Sequence, residues 1–115
     1  MLLAKLWISM RVLLDECLPR RLKRYLIGHD ARTVPEAGWA GKKKGQLIRA
    51  ATGHIDAFLT IDGNLTYQQN PTGLQFGVVV LSAPTNRLED LVPLVPEILA
   101  VLQLLVPSQI VRIGG

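Results

Sequence analysis

The sequence predicts an α/β domain in which helices cover both faces of a mostly parallel sheet of about five strands. Short apolar runs rich in β-branched residues recur along the chain, and segments with helical periodicity separate them. The runs are apolar at consecutive positions rather than alternate ones, which is typical of strands that are buried on both sides. The 115 residues suffice for one such domain but not for two.

Five segments have the character of strands. The first, 11–14, leads directly into acidic residues, and the third, 57–61, is followed by another acid. The fourth, 76–81, is the strongest because it contains consecutive valines followed by a leucine. A weaker second strand is expected at 30–34, and a fifth strand at 110–113 closes the sheet.

Helical segments lie between these strands. Pro19 opens the first helix, at a position where proline is tolerated. A second, short helix is expected over 46–52. The C-terminal helix is longer: Asn86 followed by Glu89 predicts a capping box at its start, and Pro93 is expected to bend it.

Composition favours a folded cytoplasmic protein. The chain is 49% hydrophobic and 19% charged, which is typical of a globular domain. Its one cysteine, Cys17, excludes an internal disulfide framework and fits a reducing compartment. Residues 1–9 are too short to span a bilayer, so no membrane partner is expected. Because Met10 directly precedes the first strand, we expect it to be the natural start, with residues 1–9 as an extension and 10–115 as the domain.

Two acids define the candidate site, since Asp15 follows the first strand and Asp62 follows the third. The carboxyl ends of neighbouring parallel strands meet at one edge of a sheet, where α/β folds bind ligands. Mg²⁺ accepts one or two carboxylates and keeps several waters, so this pair could bind Mg²⁺ or Mn²⁺. Glu16 and Glu36 lie at the same predicted edge. The structural alternatives are a helix cap at Asp15 and an Asx turn or helix cap at Asp62.

Basic residues surround the same predicted edge. The net charge is +4, which permits a polyanionic partner without requiring one. The candidate nucleic-acid-binding residues follow strand ends and could hold a phosphate backbone: Arg20, Arg21, Lys42, Lys43 and Lys44. The alternative for such a charge run is a solvated surface with no ligand.

Several motifs together resemble one family. The runs RVLLDECLPRRL at 11–22, RTVPEAGW at 32–39 and TIDGNL at 60–65, with the stretches 67–70 and 86–91, are similar to prokaryotic PIN-like proteins of unknown function. The resemblance extends over nearly the whole chain. It implies a PIN-like three-layer sandwich and a Mg²⁺- or Mn²⁺-dependent endoribonuclease of the kind found among VapC-type toxins. The implied partners are RNA and a small antitoxin protein, and a homodimer is an open possibility for the assembly.

The resemblance also implies roles for individual residues. Asp15 corresponds to the acid of the first strand and Asp62 to the acid of the Thr-x-Asp motif, so both are expected to be catalytic and to bind the metal. Asn64 matches the polar position two residues after Asp62. Relatives of this branch tend to carry Glu where this chain has Gln46, and Glu36 could supply the missing carboxylate. If nothing does, the alternative is a catalytically inactive binding module.

A phosphoacceptor receiver domain is the remaining alternative. It too needs acids after the first strand, an Asp after the third and a Ser or Thr after the fourth, which Asp15, Glu16, Asp62 and Ser82 provide. The stretch between Asp62 and Ser82 is short for a full helix with its loops. No lysine follows the predicted last strand either. Both features disfavour a receiver.

Overall fold

The computed structural model describes residues 8–63 and 73–114 and confirms the α/β class. Its five strands form a single sheet in the order β2-β1-β3-β4-β5, and every neighbouring pair is parallel. The strands are β1 Arg11–Leu14, β2 Asp30–Thr33, β3 Ala57–Thr60, β4 Gly77–Ser82 and β5 Ile110–Gly114. This is the strand order of flavodoxin-like folds, in which receiver domains also occur, so the order alone does not separate the two functional alternatives.

Helical elements cover both faces of the sheet. Within residues 8–63 and 73–114, they include a 3₁₀ helix Arg20–Tyr25, α1 Lys44–Ala51, α2 Leu88–Leu91, a 3₁₀ turn Val92–Leu94 and α3 Val95–Leu102. Alternate strand side chains point to opposite faces. Val12 and Leu14 pack with the Arg20–Tyr25 helix, α2 and α3, whereas Leu13 packs with α1. The predicted layers of helix on both sides of a parallel sheet are therefore present.

Three local predictions need correction. The helix after Pro19 is a short 3₁₀ helix. The second helix begins at Lys44, two residues earlier than predicted. The capping box does not form, because the Asn86 side chain donates to the Cys17 carbonyl oxygen at 2.9 Å and leaves Arg87 as the N-cap of α2. A tertiary hydrogen bond thus replaces the local one. The C-terminal helix, which was expected to bend near Pro93, is divided there into α2 and α3 by the 3₁₀ turn Val92–Leu94.

Ile8, in the segment before β1, contacts the C-terminal end of α3. The backbone N–H of Ile8 donates to Oε1 of Gln103 at 3.0 Å, and Nε2 of Gln103 donates to the Ile8 carbonyl oxygen at 2.9 Å. Among the residues that the structure describes, no helix is long and apolar enough to cross a membrane.

Candidate active site at the switch point of the sheet

The strand order has its switch point between β1 and β3, where a crevice is expected. The chain leaves β1 for β2 on one side and later returns to place β3 on the other side. Such a switch point, at the carboxyl ends of the strands, is where open α/β sheets bind ligands. Asp15 follows β1 directly, and Asp62 lies just beyond the end of β3. The two candidate acids therefore flank the expected crevice.

Asp15 is buried and is held by three donors. Its side chain has only 5% of its surface exposed. Oδ1 accepts the backbone N–H of Glu16 at 2.8 Å, and Oδ2 accepts the hydroxyl of Thr60 at 2.7 Å and the ammonium of Lys44. Burying a carboxylate is costly unless it is paired and hydrogen-bonded. These donors therefore fix the position of Asp15 at the edge of the core.

Asp62 is the solvent-facing member of the pair. Its side chain is 44% exposed, and Oδ2 lies 3.8 Å from Nζ of Lys44. Its backbone N–H donates to Oγ1 of Thr60 at 3.0 Å. Since the same hydroxyl donates to Asp15, Thr60 links the two acids and fixes the spacing between the ends of β1 and β3.

Lys44 places its ammonium between the acids. It is the first residue of α1, and its Nζ contacts Asp15 and approaches Asp62 while lying 5.6 Å from the centroid of the Phe58 ring. The sequence grouped Lys44 with Lys42 and Lys43 as nucleic-acid-binding residues, whereas the structure separates it from them. Lys44 lies between the acids because α1 begins at this residue, two positions earlier than predicted. The run of three lysines contains no signal for that start.

Glu16 and Glu36 lie along a groove that also reaches Asp15. The groove has a volume of about 390 Å³, and Arg20 and Thr33 are among its other lining residues. The Glu36 carboxylate accepts the ammonium of Lys23 and the backbone N–H of Thr33, the latter at 2.9 Å. The hydrogen bond from Lys23 is the main cause that lowers the pKa of Glu36 to about 2. Glu36 is thus an anion near the site whose oxygens already have donors.

Gln46 and Asn64 complete the predicted set. The Gln46 side chain is exposed, and its Oε1 accepts the backbone N–H of Lys43 at 3.2 Å, so the amide caps the start of α1. Asn64 lies outside the described residues, as does the stretch 67–70 that contributed to the family resemblance.

Thr60, Cys17 and Arg112 were not predicted as site residues. Sγ of Cys17 lies 3.7 Å from Oγ1 of Thr60, and burial raises the pKa of this thiol, with a further contribution from the charge of Asp15. A guanidinium nitrogen of Arg112 lies 3.5 Å from where a Cβ on Gly63 would be. Arg112 belongs to β5, two strands away from β3, so no local sequence signal could have placed it here. Thr60 did have a sequence signal, because it is the threonine of the Thr-x-Asp motif and a polar residue within an apolar strand.

A cationic groove adjoins the site. It has a volume of about 500 Å³ and is lined by Arg20, Arg21, Lys23, Arg24, Tyr25, Glu36 and Leu88. It shares Arg20 and Glu36 with the groove that reaches Asp15. The two grooves therefore adjoin each other and together extend from Asp15 to the Arg20–Tyr25 helix. Lys42 and Lys43 are exposed on the loop before α1.

The donor set fits a hard divalent cation. Within residues 8–63 and 73–114, no three His, Cys, Asp or Glu side chains gather closely enough to hold a metal ion. Mg²⁺, however, commonly binds through one or two carboxylates, with waters and substrate phosphates completing its shell. Asp15 and Asp62 supply two carboxylates, and a cation, the Lys44 ammonium, already lies near both of them.

Comparisons with known proteins do not extend this picture. No family model matches the chain, and no curated protein or solved structure matches it at a significant level.

Proposed function

We propose that this chain is a PIN-like, metal-dependent endoribonuclease. The main supporting observation is the convergence of Asp15 and Asp62 on one cation, the ammonium of Lys44, at the switch point of the sheet. A pair of carboxylates in this position is suited to Mg²⁺ or Mn²⁺. The motif resemblance gives the reaction class, and the geometry supports it.

Each side chain would have a distinct role in such a site. A bound divalent ion would supply an activated water and neutralise charge on the scissile phosphate. Asp15 would hold the ion in a fixed place, because Thr60 and the backbone N–H of Glu16 restrain its carboxylate. Asp62 would bind it from the solvent side, where substrate arrives. Arg112, near Gly63, is placed to approach a phosphate at the same edge.

The adjoining cationic groove supports RNA as the substrate. The Arg20–Tyr25 helix concentrates Arg20, Arg21, Lys23 and Arg24 on a surface that adjoins the groove reaching Asp15. Such cations bind a phosphate backbone without regard to sequence. Tyr25 is 39% exposed on this surface and can stack on an unpaired base. A single strand lying along the groove would pass from the helix to Asp15.

The corresponding biological role is the toxin of a toxin–antitoxin pair acting in the cytoplasm. In this proposal a small antitoxin protein covers the site until it is removed. A short adjacent reading frame that encodes a DNA-binding protein would support this role, and its absence would count against it.

A cleavage assay tests the proposed activity. Labelled single-stranded RNA is incubated with the wild type, Asp62→Asn and the matched control Asp56→Asn, with Mg²⁺, with Mn²⁺ and with EDTA. We expect metal-dependent cleavage that falls by about 100-fold or more in Asp62→Asn, since a metal ligand is lost. Asp56→Asn should stay active because Asp56 pairs with Arg11 at the opposite edge of the sheet. Cleavage that survives both EDTA and Asp62→Asn would refute the mechanism.

A binding module without hydrolysis is the second candidate. It is favoured by the Lys44 ammonium between the acids and by the use of Gln46 as a helix cap rather than as an acidic ligand. Such a module would bind RNA through the cationic groove, with an affinity that falls steeply as salt rises. Salt-dependent binding without cleavage by the wild type, over several RNAs and both metals, would favour this candidate.

A further inference from the structure

The chain supplies its own cation to the acid pair. The Lys44 ammonium hydrogen-bonds to Oδ2 of Asp15 and lies 3.8 Å from Oδ2 of Asp62. Asp15 is buried, so this contact acts in a medium that screens charge less than water does. In the described part of the chain Lys42 and Lys43, from the same lysine run, form no ion pair. The contact is therefore specific to Lys44.

The position of Lys44 allows it to leave. Its side chain is 27% exposed, and it sits in the first turn of α1 on a flexible four-carbon stem. Lysine binds as a point charge, without the two-pronged geometry of arginine. Asp15 keeps the Thr60 hydroxyl and the Glu16 N–H as donors when the ammonium withdraws. The carboxylate would therefore stay in place.

A divalent ion bound to both acids would need the oxygens that Lys44 uses. Oδ1 of Asp15 accepts the N–H of Glu16, whereas Oδ2 is the oxygen that Lys44 contacts between the two acids. Two cations cannot share this point, because like charges a few ångströms apart repel strongly in a partly buried site. We propose that Lys44 competes with the metal for Asp15 and Asp62, and so sets the affinity for the ion. This inference rests on the proposed metal site. An RNA phosphate is a natural second partner for the displaced ammonium.

Titration calorimetry with Mn²⁺ on the wild type, Lys44→Met and Lys42→Met tests this. We expect Lys44→Met to bind Mn²⁺ about tenfold more tightly, the scale of one hydrogen bond to a charged group. Lys42→Met should bind within about twofold of the wild type, because Lys42 holds no acid. In the double variant Lys44→Met, Asp62→Asn the gain should disappear. Equal or weaker binding by Lys44→Met would overturn the competition, while failure of every variant to bind Mn²⁺ would overturn the metal site itself.

A measurement on the wild type avoids any loss of folding in Lys44→Met. An amine-reactive ester labels the lysines with and without Mg²⁺, and mass spectrometry compares Lys44 with Lys42. Displacement from the acids should expose the Lys44 amine, so we expect Mg²⁺ to speed its labelling several-fold while Lys42 is unchanged. The same labelling rate of Lys44 with and without a saturating Mg²⁺ concentration would overturn the proposal.

Discussion

The two edges of the sheet use the same kinds of charged residue in different ways. At the amino edge each acid has its own arginine: Arg11 forms hydrogen bonds of 3.0 and 3.1 Å to the two carboxylate oxygens of Asp56, and Arg32 binds both oxygens of Asp30. At the carboxyl edge, one lysine is shared between Asp15 and Asp62. At the amino edge the bidentate arginine–carboxylate pairs are exposed to solvent. At the carboxyl edge the single ammonium of Lys44 contacts the buried carboxylate of Asp15.

This difference separates a structural ion pair from a candidate site. The Arg11 guanidinium lowers the pKa of Asp56, and both side chains remain substantially exposed. Such pairs are matched in geometry and contribute little to stability. A lysine shared by two acids is easier to replace with another cation than a forked arginine is, particularly at the switch point of a sheet, where ligands commonly bind. Chemistry is therefore expected at the carboxyl edge.

The largest effect on the free energy of unfolding is expected for Asp15→Ala at the carboxyl edge, compared with Asp56→Ala at the amino edge. Asp15→Ala leaves the Thr60 hydroxyl without its acceptor in a buried place and separates Lys44 from its main partner. We expect a loss of about 2–4 kcal/mol in the free energy of unfolding. Asp56→Ala at the exposed amino edge should cost about 1 kcal/mol. Urea unfolding of the two variants measures both values, and equal costs would remove the distinction between the edges.

Part of this contrast was predictable from the sequence. The ends of the apolar strands located Asp15 and Asp62, because a parallel sheet brings the ends of neighbouring strands to one edge. Lys44 was predicted near this edge as a nucleic-acid-binding residue but not between the two acids, since the helix was expected to begin at Gln46 and its actual start turns Lys44 inward. Arg112 approaches Gly63 only through the pairing of β5 with β4, which no local pattern contains.

The next effect is smaller and concerns pH at the amino edge. Nδ1 of His29 accepts the backbone N–H of Met10 at 3.0 Å, and burial lowers the pKa of this imidazole from 6.5. The unfolded chain therefore binds more protons than the folded protein as pH falls below 6.5, so stability should decrease there. The loss should be smaller than that of Asp15→Ala, since the ring is only partly buried.

His29→Asn keeps an acceptor for Met10 but removes the titrating ring. Between pH 7 and pH 5.5 the variant should lose less stability than the wild type, as measured by urea unfolding at the two values. The acidic groups with lowered pKa values, Asp56 and Glu36, titrate below this window. Parallel pH profiles for the two proteins would show that His29 does not titrate on unfolding in this range.

The most direct test of the central claim compares Mn²⁺ binding at the two edges. Calorimetric titration of the wild type, Asp62→Asn and Asp56→Asn tests whether Mn²⁺ binds to the acids that share Lys44 rather than to any surface carboxylate. We predict that Asp62→Asn weakens Mn²⁺ binding by about tenfold or more, because one of its two anionic ligands is lost. Asp56→Asn should leave the affinity unchanged, since its carboxylate is held by Arg11. The same Mn²⁺ affinity in all three proteins would contradict the assignment of the metal to the carboxyl edge.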